Sequence, residues 1–210
     1  MRRIRSRASA QGLIPKRNKL SERVLSVASI KVSTDELLSV IPTLRAGDSV
    51  LLSGTIYTAR DAAHKRIFEL LDKGEELPFE LSGAVIYYAG PTPGKDGAPV
   101  GACGPTTSGR MDGFAPRLLD LGLSCMIGKG ERDEKVCDAI TRNGAVYLCA
   151  VGGAGALVAK SIRSADVIAF PELGCESVKR MTVEDMPCTV AIDSVGGNLF
   201  LTEREKYKQD

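Results

Sequence analysis

Apolar residues along this chain fall into two rhythms, and the rhythms alternate. Residues 49–53 form a short apolar run behind an Arg45-Ala46-Gly47-Asp48 turn and predict the first strand. Residues 59–71 then place Ala63, Ile67, Leu70 and Leu71 at helical spacing, and Gly74 closes the predicted helix. Residues 83–89 are a continuous β-rich run, as expected of a strand covered on both faces. Gly90-Pro91-Thr92-Pro93-Gly94 breaks the chain sharply.

Further on, helices are predicted over 107–121, 132–143 and 155–162, with strands over 124–127, 145–151 and 167–170. The chain closes on two predicted strands, 188–193 and 197–202, joined through Val195-Gly196-Gly197. Near the start, Ser33 and Glu36 stand at capping-box spacing and predict a short helix limited by Pro42. This order predicts an α/β domain with a mixed central sheet, because the last two strands are close enough for a hairpin. Residues 1–28 are polar, basic and without apolar period, so they read as a flexible extension; residues 29–210 read as the folded domain.

Charge sharpens that division. The net charge is +2, yet residues 1–30 hold eight Arg or Lys against one acid, which leaves the rest of the chain mildly acidic. A nucleic-acid-binding fold carries its excess charge on the folded face. With 5% aromatic residues and no Trp, base stacking is also unsupported, so no nucleic-acid partner is expected. No run approaches 18 apolar residues, so no membrane span is expected. The first 21 residues lack acids and are rich in Arg, the composition of an organelle transit peptide and equally of a basic tail or a misassigned start. A cytoplasmic location is expected.

The six cysteines are 12 to 26 residues apart, with no CxxC or CxxxC pair, so no self-contained metal site is expected in this chain. Several sit in apolar runs, where a thiol serves as a small hydrophobe, and free thiols in this number suit a reducing compartment.

Two segments place charged and hydroxyl groups at strand-to-helix junctions. The first is Leu52-Ser53-Gly54-Thr55-Ile56-Tyr57-Thr58-Ala59-Arg60-Asp61-Ala62-Ala63-His64. Thr58 is the expected N-cap, Arg60 and His64 share a helical face, and His64 is the only histidine. The second is Gly104-Pro105-Thr106-Thr107-Ser108-Gly109-Arg110-Met111-Asp112, with Arg110 four residues after Thr106. A third element, Gly128-Lys129-Gly130, puts a cation at a strand end, where ligands of open α/β sheets bind. Any one of these is explained by a solvated helix face or by plain capping. Together they offer two planar guanidinium forks, an ammonium and several hydroxyls, which suits a small dianion such as a dicarboxylate.

These three motifs resemble the β region of class I (iron–sulfur) fumarases and tartrate dehydratases, over about residues 30–205. The resemblance implies a swivelling β/α domain that docks on a partner α subunit, giving a hetero-oligomer. The [4Fe–4S] cluster is then ligated by that partner, its open iron acting as Lewis acid on the substrate hydroxyl. It also implies that Arg60, Arg110 and Lys129 hold the substrate carboxylates, that Thr106 exchanges the proton at carbon, and that His64 belongs to the same catalytic site. Gly109-Arg110-Met111-Asp112 is closer to the fumarase branch, which interconverts fumarate and L-malate; a tartrate dehydratase β subunit is the alternative. The basic extension departs from the family pattern.

Two rivals come from other classes. Gly153-Ala154-Gly155-Ala156-Leu157-Val158 follows a predicted strand and opens a helix, a partial dinucleotide fingerprint that lacks its third glycine. A non-catalytic regulatory subunit would keep the fold without needing Arg60, Thr106, Arg110 and Lys129 together.

Overall fold

Successive residues of the short central strands face opposite apolar layers. The structure, a computed structural model, describes residues 29–206 except Gly152; the basic extension, 1–28, lies outside the described residues. In β3 (Val85–Tyr87), Val85 and Tyr87 join one core while Ile86 joins another. β4 (Cys125–Gly128) and β5 (Val146–Cys149) repeat this: Cys125, Ile127, Val146 and Leu148 face the first core, Met126 and Tyr147 the second. Two buried faces explain why these strands read as unbroken apolar runs.

The first core is enclosed by strands. β2 (Ser49–Thr58), β3, β4 and β5 pair in parallel, in that order. The long β7 (Val178–Ile192) runs antiparallel to β5 and also to β2, so the five strands close into a barrel-like ring. β1 (Ile30–Ser33) extends the sheet beside β2, and β6 (Ile162–Ala169) beside β7. The mixed central sheet is as expected. Its antiparallel member is β7 rather than a terminal hairpin.

Helices cover the second core: α2 (Asp61–Lys73), α3 (Ala115–Asp120) and α4 (Glu134–Arg142) bury Ala63, Ile67, Leu118, Leu119, Val136 and Ile140 against the sheet. α2 matches the predicted helix closely and ends at left-handed Gly74 (φ 69°), whose N–H reaches back to Leu70 and Leu71. The remaining helices are α1 (Leu37–Val40), α5 (Gly155–Ala159) and α6 (Leu199–Lys206).

Three of the expected elements form differently. Ser33 ends β1, and its hydroxyl accepts from the N–H of Asp35, so no capping box with Glu36 forms and α1 starts without a side-chain cap. The helix expected over 107–121 is split into a 3-10 turn, Ser108–Met111, and α3, because the first part is pinned to the strand-end loop at Lys129. The strand expected over 197–202 is instead the entry to α6: the Asn198 side chain accepts the N–H of Phe200, and its carbonyl accepts those of Leu201 and Thr202.

Candidate active site

The C-terminal ends of β2, β3 and β4 lie side by side, and the three motifs meet there. Past β2, Ala59 donates its N–H to Tyr87 O (3.2 Å). Past β3, Tyr88 donates to Ile127 O (2.8 Å) and accepts from Thr106 N–H (2.7 Å). Thr107 then pairs with Lys129 as an isolated parallel bridge, and Ser108 N–H donates to Lys129 O (2.9 Å). Backbone hydrogen bonds thus hold segments far apart in sequence against one rim.

Thr58 does not cap α2. It is fully buried, accepts the N–H of Lys179 (3.0 Å) and donates to Ser177 O (3.3 Å), tying β2 to β7. The cap residue is Arg60, which supplies no side-chain acceptor. A carboxylate from the 3-10 turn Pro171–Glu176 does so instead: Glu176 Oε2 accepts the N–H of Ala62 (3.0 Å).

The same turn reaches Arg60. Glu176 Oε1 lies 3.4 Å from Arg60 Nη2, and Asp61 Oδ2 lies 3.7 Å from the same nitrogen. Asp61 Oδ1 in turn pairs with Arg110 Nε at 2.8 Å. Arg60 and Arg110, 50 positions apart in the chain, therefore converge on one carboxylate. Arg60 is pressed against Gly90, where a Cβ would stand 3.0 Å from Nη1 and 3.1 Å from Cδ. Arg110 is open, with half its side-chain surface exposed.

His64 lies beneath them, with no exposed surface. Its Nδ1 is 2.9 Å from Arg60 O, which can only accept, so the proton sits on Nδ1 and Nε2 is left buried with no hydrogen-bond partner among the described residues. Its ring meets those of Tyr88 and Phe114, each at 5.4 Å between centroids. Burial foremost pulls its pKa down to about 4; the bond to Arg60 O and the Asp61 charge oppose this, and Arg132 adds to it. His64 is neutral near pH 7.

Deeper still, Arg132 is sandwiched between Tyr88 and Tyr147, 5.4 and 5.0 Å from their ring centroids, and pairs with Asp112 at 2.6 Å. Asp112 also accepts the N–H of Asp133 (2.8 Å). The last residue of the second motif thereby anchors the approach to α4.

Thr106 is half-buried in extended chain, not at a helix start, and its hydroxyl has no hydrogen-bond partner among the described residues. The half-buried Lys129 likewise has no carboxylate partner for its ammonium group among the described residues. The rim thus presents Arg60, Arg110, Lys129 and Thr106, with His64 below. Asp61 lies inside the first motif, but its pairing with Arg110 is a contact across the fold that no local spacing encodes. Glu176 gave no local signal, since what it touches is 114 residues away.

The fit of an iron–sulfur cluster to this chain's residues is poor. A cluster takes thiolates converging on one point. Here Cys103, Cys125 and Cys188 belong to the inner core, Cys137 and Cys149 to the outer one, and Cys175 is exposed. Burial pushes the thiols of Cys103 and Cys188 up to about 12. Among the described residues no three Cys, His, Asp or Glu gather to hold a metal ion.

The partial dinucleotide fingerprint has a packing explanation. Gly155 O accepts the N–H of Cys103 (3.0 Å), and a Cβ on Gly155 would lie 3.1 Å from Gly104 N. Gly155 is thus required for close approach of two backbones, one of them the start of the Thr106 motif. No helix among the described residues is long and apolar enough to cross a membrane.

Comparison with known proteins gives the family. Fumarate hydratase 2 of Leishmania major is 39% identical over 182 residues, covering 84% of this chain and 32% of that protein. The anaerobic class I fumarate hydratase of Escherichia coli is 40% identical over 167 residues, covering 79% and 30%. The chain thus spans about a third of the length of these curated relatives. A Methanocaldococcus jannaschii protein, named as a candidate L(+)-tartrate dehydratase subunit beta, is 40% identical over 163 residues, 75% of this chain and 84% of its own length. The family model described as fumarase C-terminus matches residues 5–203, a span that takes in most of the basic extension as well as the rim, and the chain belongs to that family.

Proposed function

We propose that this chain is the β component of a [4Fe–4S]-dependent hydro-lyase, interconverting fumarate and L-malate together with an α subunit that carries the cluster. The observation that carries the reading is the convergence of Arg60 and Arg110 on one carboxylate at an exposed strand-end rim. Asp61 engages Arg110 through Nε, so the two terminal nitrogens remain outside that contact for a second, incoming carboxylate. Lys129 supplies a further cation for the other end of a dicarboxylate. The likeness to a protein named as a candidate tartrate dehydratase subunit beta supports reading this chain as a component that works with a partner in a hetero-oligomer. It also keeps tartrate as the second substrate reading. The six free thiols fit a cytoplasmic setting.

In this reading the chain's own residues do three things. Arg60, Arg110 and Lys129 bind and orient the two carboxylates. Thr106 holds or removes the proton at the substrate carbon; an aliphatic hydroxyl is a weak base, so it needs a nearby cation to stabilise its alkoxide, and Arg110 and Lys129 flank its segment. His64, neutral and enclosed, serves from below by fixing the backbone of Arg60.

Anaerobic reconstitution with the α subunit tests the proposal. Turnover of fumarate or L-malate by the pair, with a colourless and inactive β chain alone, is expected. A brown, active preparation of this chain by itself would overturn the placement of the cluster. Reconstituted enzyme that turns over tartrate and not fumarate would transfer the assignment to the second reading.

A further inference from the structure

The loop that carries Lys129 is held by a one-way chain of hydrogen bonds that the three motifs do not contain in full. Lys129 N–H donates to Ser108 Oγ (3.1 Å), and Ser108 N–H donates to Lys129 O (2.9 Å). The hydroxyl of Tyr147, in the middle of β5, lies 2.8 Å from Ser108 Oγ and 2.9 Å from Gly130 O. A phenol has one proton, and a carbonyl oxygen only accepts. The Tyr147 proton therefore goes to Gly130, and the contact with Ser108 is made by the serine's own proton. The order runs Lys129 N–H, Ser108 O–H, Tyr147 O–H, Gly130 O, with each hydroxyl donating once and accepting once.

Both hydroxyl residues are fully buried apart from a trace, so no water competes for these bonds. The fit is tight: a Cβ at Gly128 would collide with Ser108 Oγ. Ser108 also begins the 3-10 turn that ends past Arg110 and follows Thr106 by two residues. One serine thus joins the lysine loop to the arginine and threonine segment, and the tyrosine fixes that serine's rotamer.

We propose that Tyr147 and Ser108 are positioning residues, which set the place of Lys129 relative to Thr106 and Arg110 and so the affinity for the substrate carboxylate; this rests on the reading of Lys129 as a carboxylate-holding group. Neither touches substrate. Their removal acts through Lys129.

Tyr147→Phe keeps the ring against Arg132 and removes only the hydroxyl. In the reconstituted enzyme it should raise KM for the dicarboxylate about three- to tenfold, the worth of one buried hydrogen bond, and lower kcat by less. Ser108→Ala should act in the same direction. In a Lys129→Ala background, Tyr147→Phe should change KM no further. An unchanged KM in Tyr147→Phe, or the same factor appearing again without Lys129, overturns the positioning role and leaves the substrate reading intact. An unchanged KM in Lys129→Ala itself overturns that reading and removes what the clamp would position. Amide hydrogen exchange at Lys129 in the full chain reads the clamp without turnover: Tyr147→Phe should accelerate it, and exchange at the wild-type rate overturns the proposal.

Discussion

Glu176 caps α2 from 114 residues beyond its donor, accepting the N–H of Ala62 at 3.0 Å while its second oxygen faces Arg60. An acidic group at a helix N-terminus satisfies one free N–H and favours the partial positive charge there. The same carboxylate helps to aim a candidate substrate-binding side chain. Glu176→Ala should cost about 1 kcal/mol of stability, lowering the melting temperature by about 2–4 °C for a chain of this size. Glu176→Gln should keep most of the stability, since its amide oxygen can still accept from Ala62. Melting curves for the two variants check this, and an Ala variant as stable as wild type would show that the cap contributes nothing.

Arg60 and Arg110 should respond differently to truncation and to shortening of their donor set. Arg60→Ala should cost about 2–5 kcal/mol in kcat/KM of the reconstituted enzyme, the range for breaking a desolvated charge pair, and Arg110→Ala less, because half of its side chain is open to solvent. Arg110→Lys should not restore activity, because the ammonium cannot reach Asp61 and a second carboxylate with one planar fork. Near-normal kinetics for Arg110→Lys would refute two-sided use of this guanidinium.

For Thr106 the position in extended chain removes capping as the competing explanation. Thr106→Ala should lower kcat by roughly 10²–10⁴, the usual range for a general acid–base group, with a small change in KM. Thr106→Ser should retain part of the rate. Thermal stability should hold in both, since no hydrogen bond of that hydroxyl to a described residue is lost. A stability loss without a rate loss would assign Thr106 to packing.

His64 predicts a pH effect. Its folded pKa of about 4 lies below its usual 6.5, so between those values the unfolded chain takes up a proton that the folded chain refuses. Stability therefore falls as pH drops from about 6.5 to 4, by up to roughly 3 kcal/mol from this group. His64→Gln removes the titration and should flatten that part of the slope. Parallel denaturant curves at pH 7 and pH 4.5 for wild type and variant measure it; equal slopes would mean that His64 does not carry the difference.

Much of this architecture was legible because local rules and the fold agree. The 3.6-residue spacing of Ala63, Ile67 and Leu70, with Gly74 behind them, defines α2 within two residues at each end. β7 shows the opposite case. Val178, Met181, Val183, Met186, Cys188 and Val190 are buried along it, but the alternation slips at Glu184-Asp185, where the pairing with β2 shifts and Asp185 takes φ 49°. A bulge moves side chains to the other face, and Pro187 adds a strand-breaking signal, so only the last third reads as a strand. At the rim, Arg60, Arg110, Lys129, Thr106 and His64 were visible as strand-end motifs. Asp61, Glu176 and Tyr147 act through contacts across the fold, which no local spacing encodes.

The pairing of Thr58 with Lys179, 121 residues later, has a consequence for how the molecule is made. Every strand from β2 to β5 can find its parallel neighbour as it leaves the ribosome, yet the ring stays open until β7 arrives to bridge both ends. Such long-range closure is slow, because the entropy of the intervening loop must be lost before any pairing rewards it. Until then β2 offers a bare edge to any other nascent strand, so synthesis rate and chaperone access in that interval govern how much of this protein reaches the closed fold.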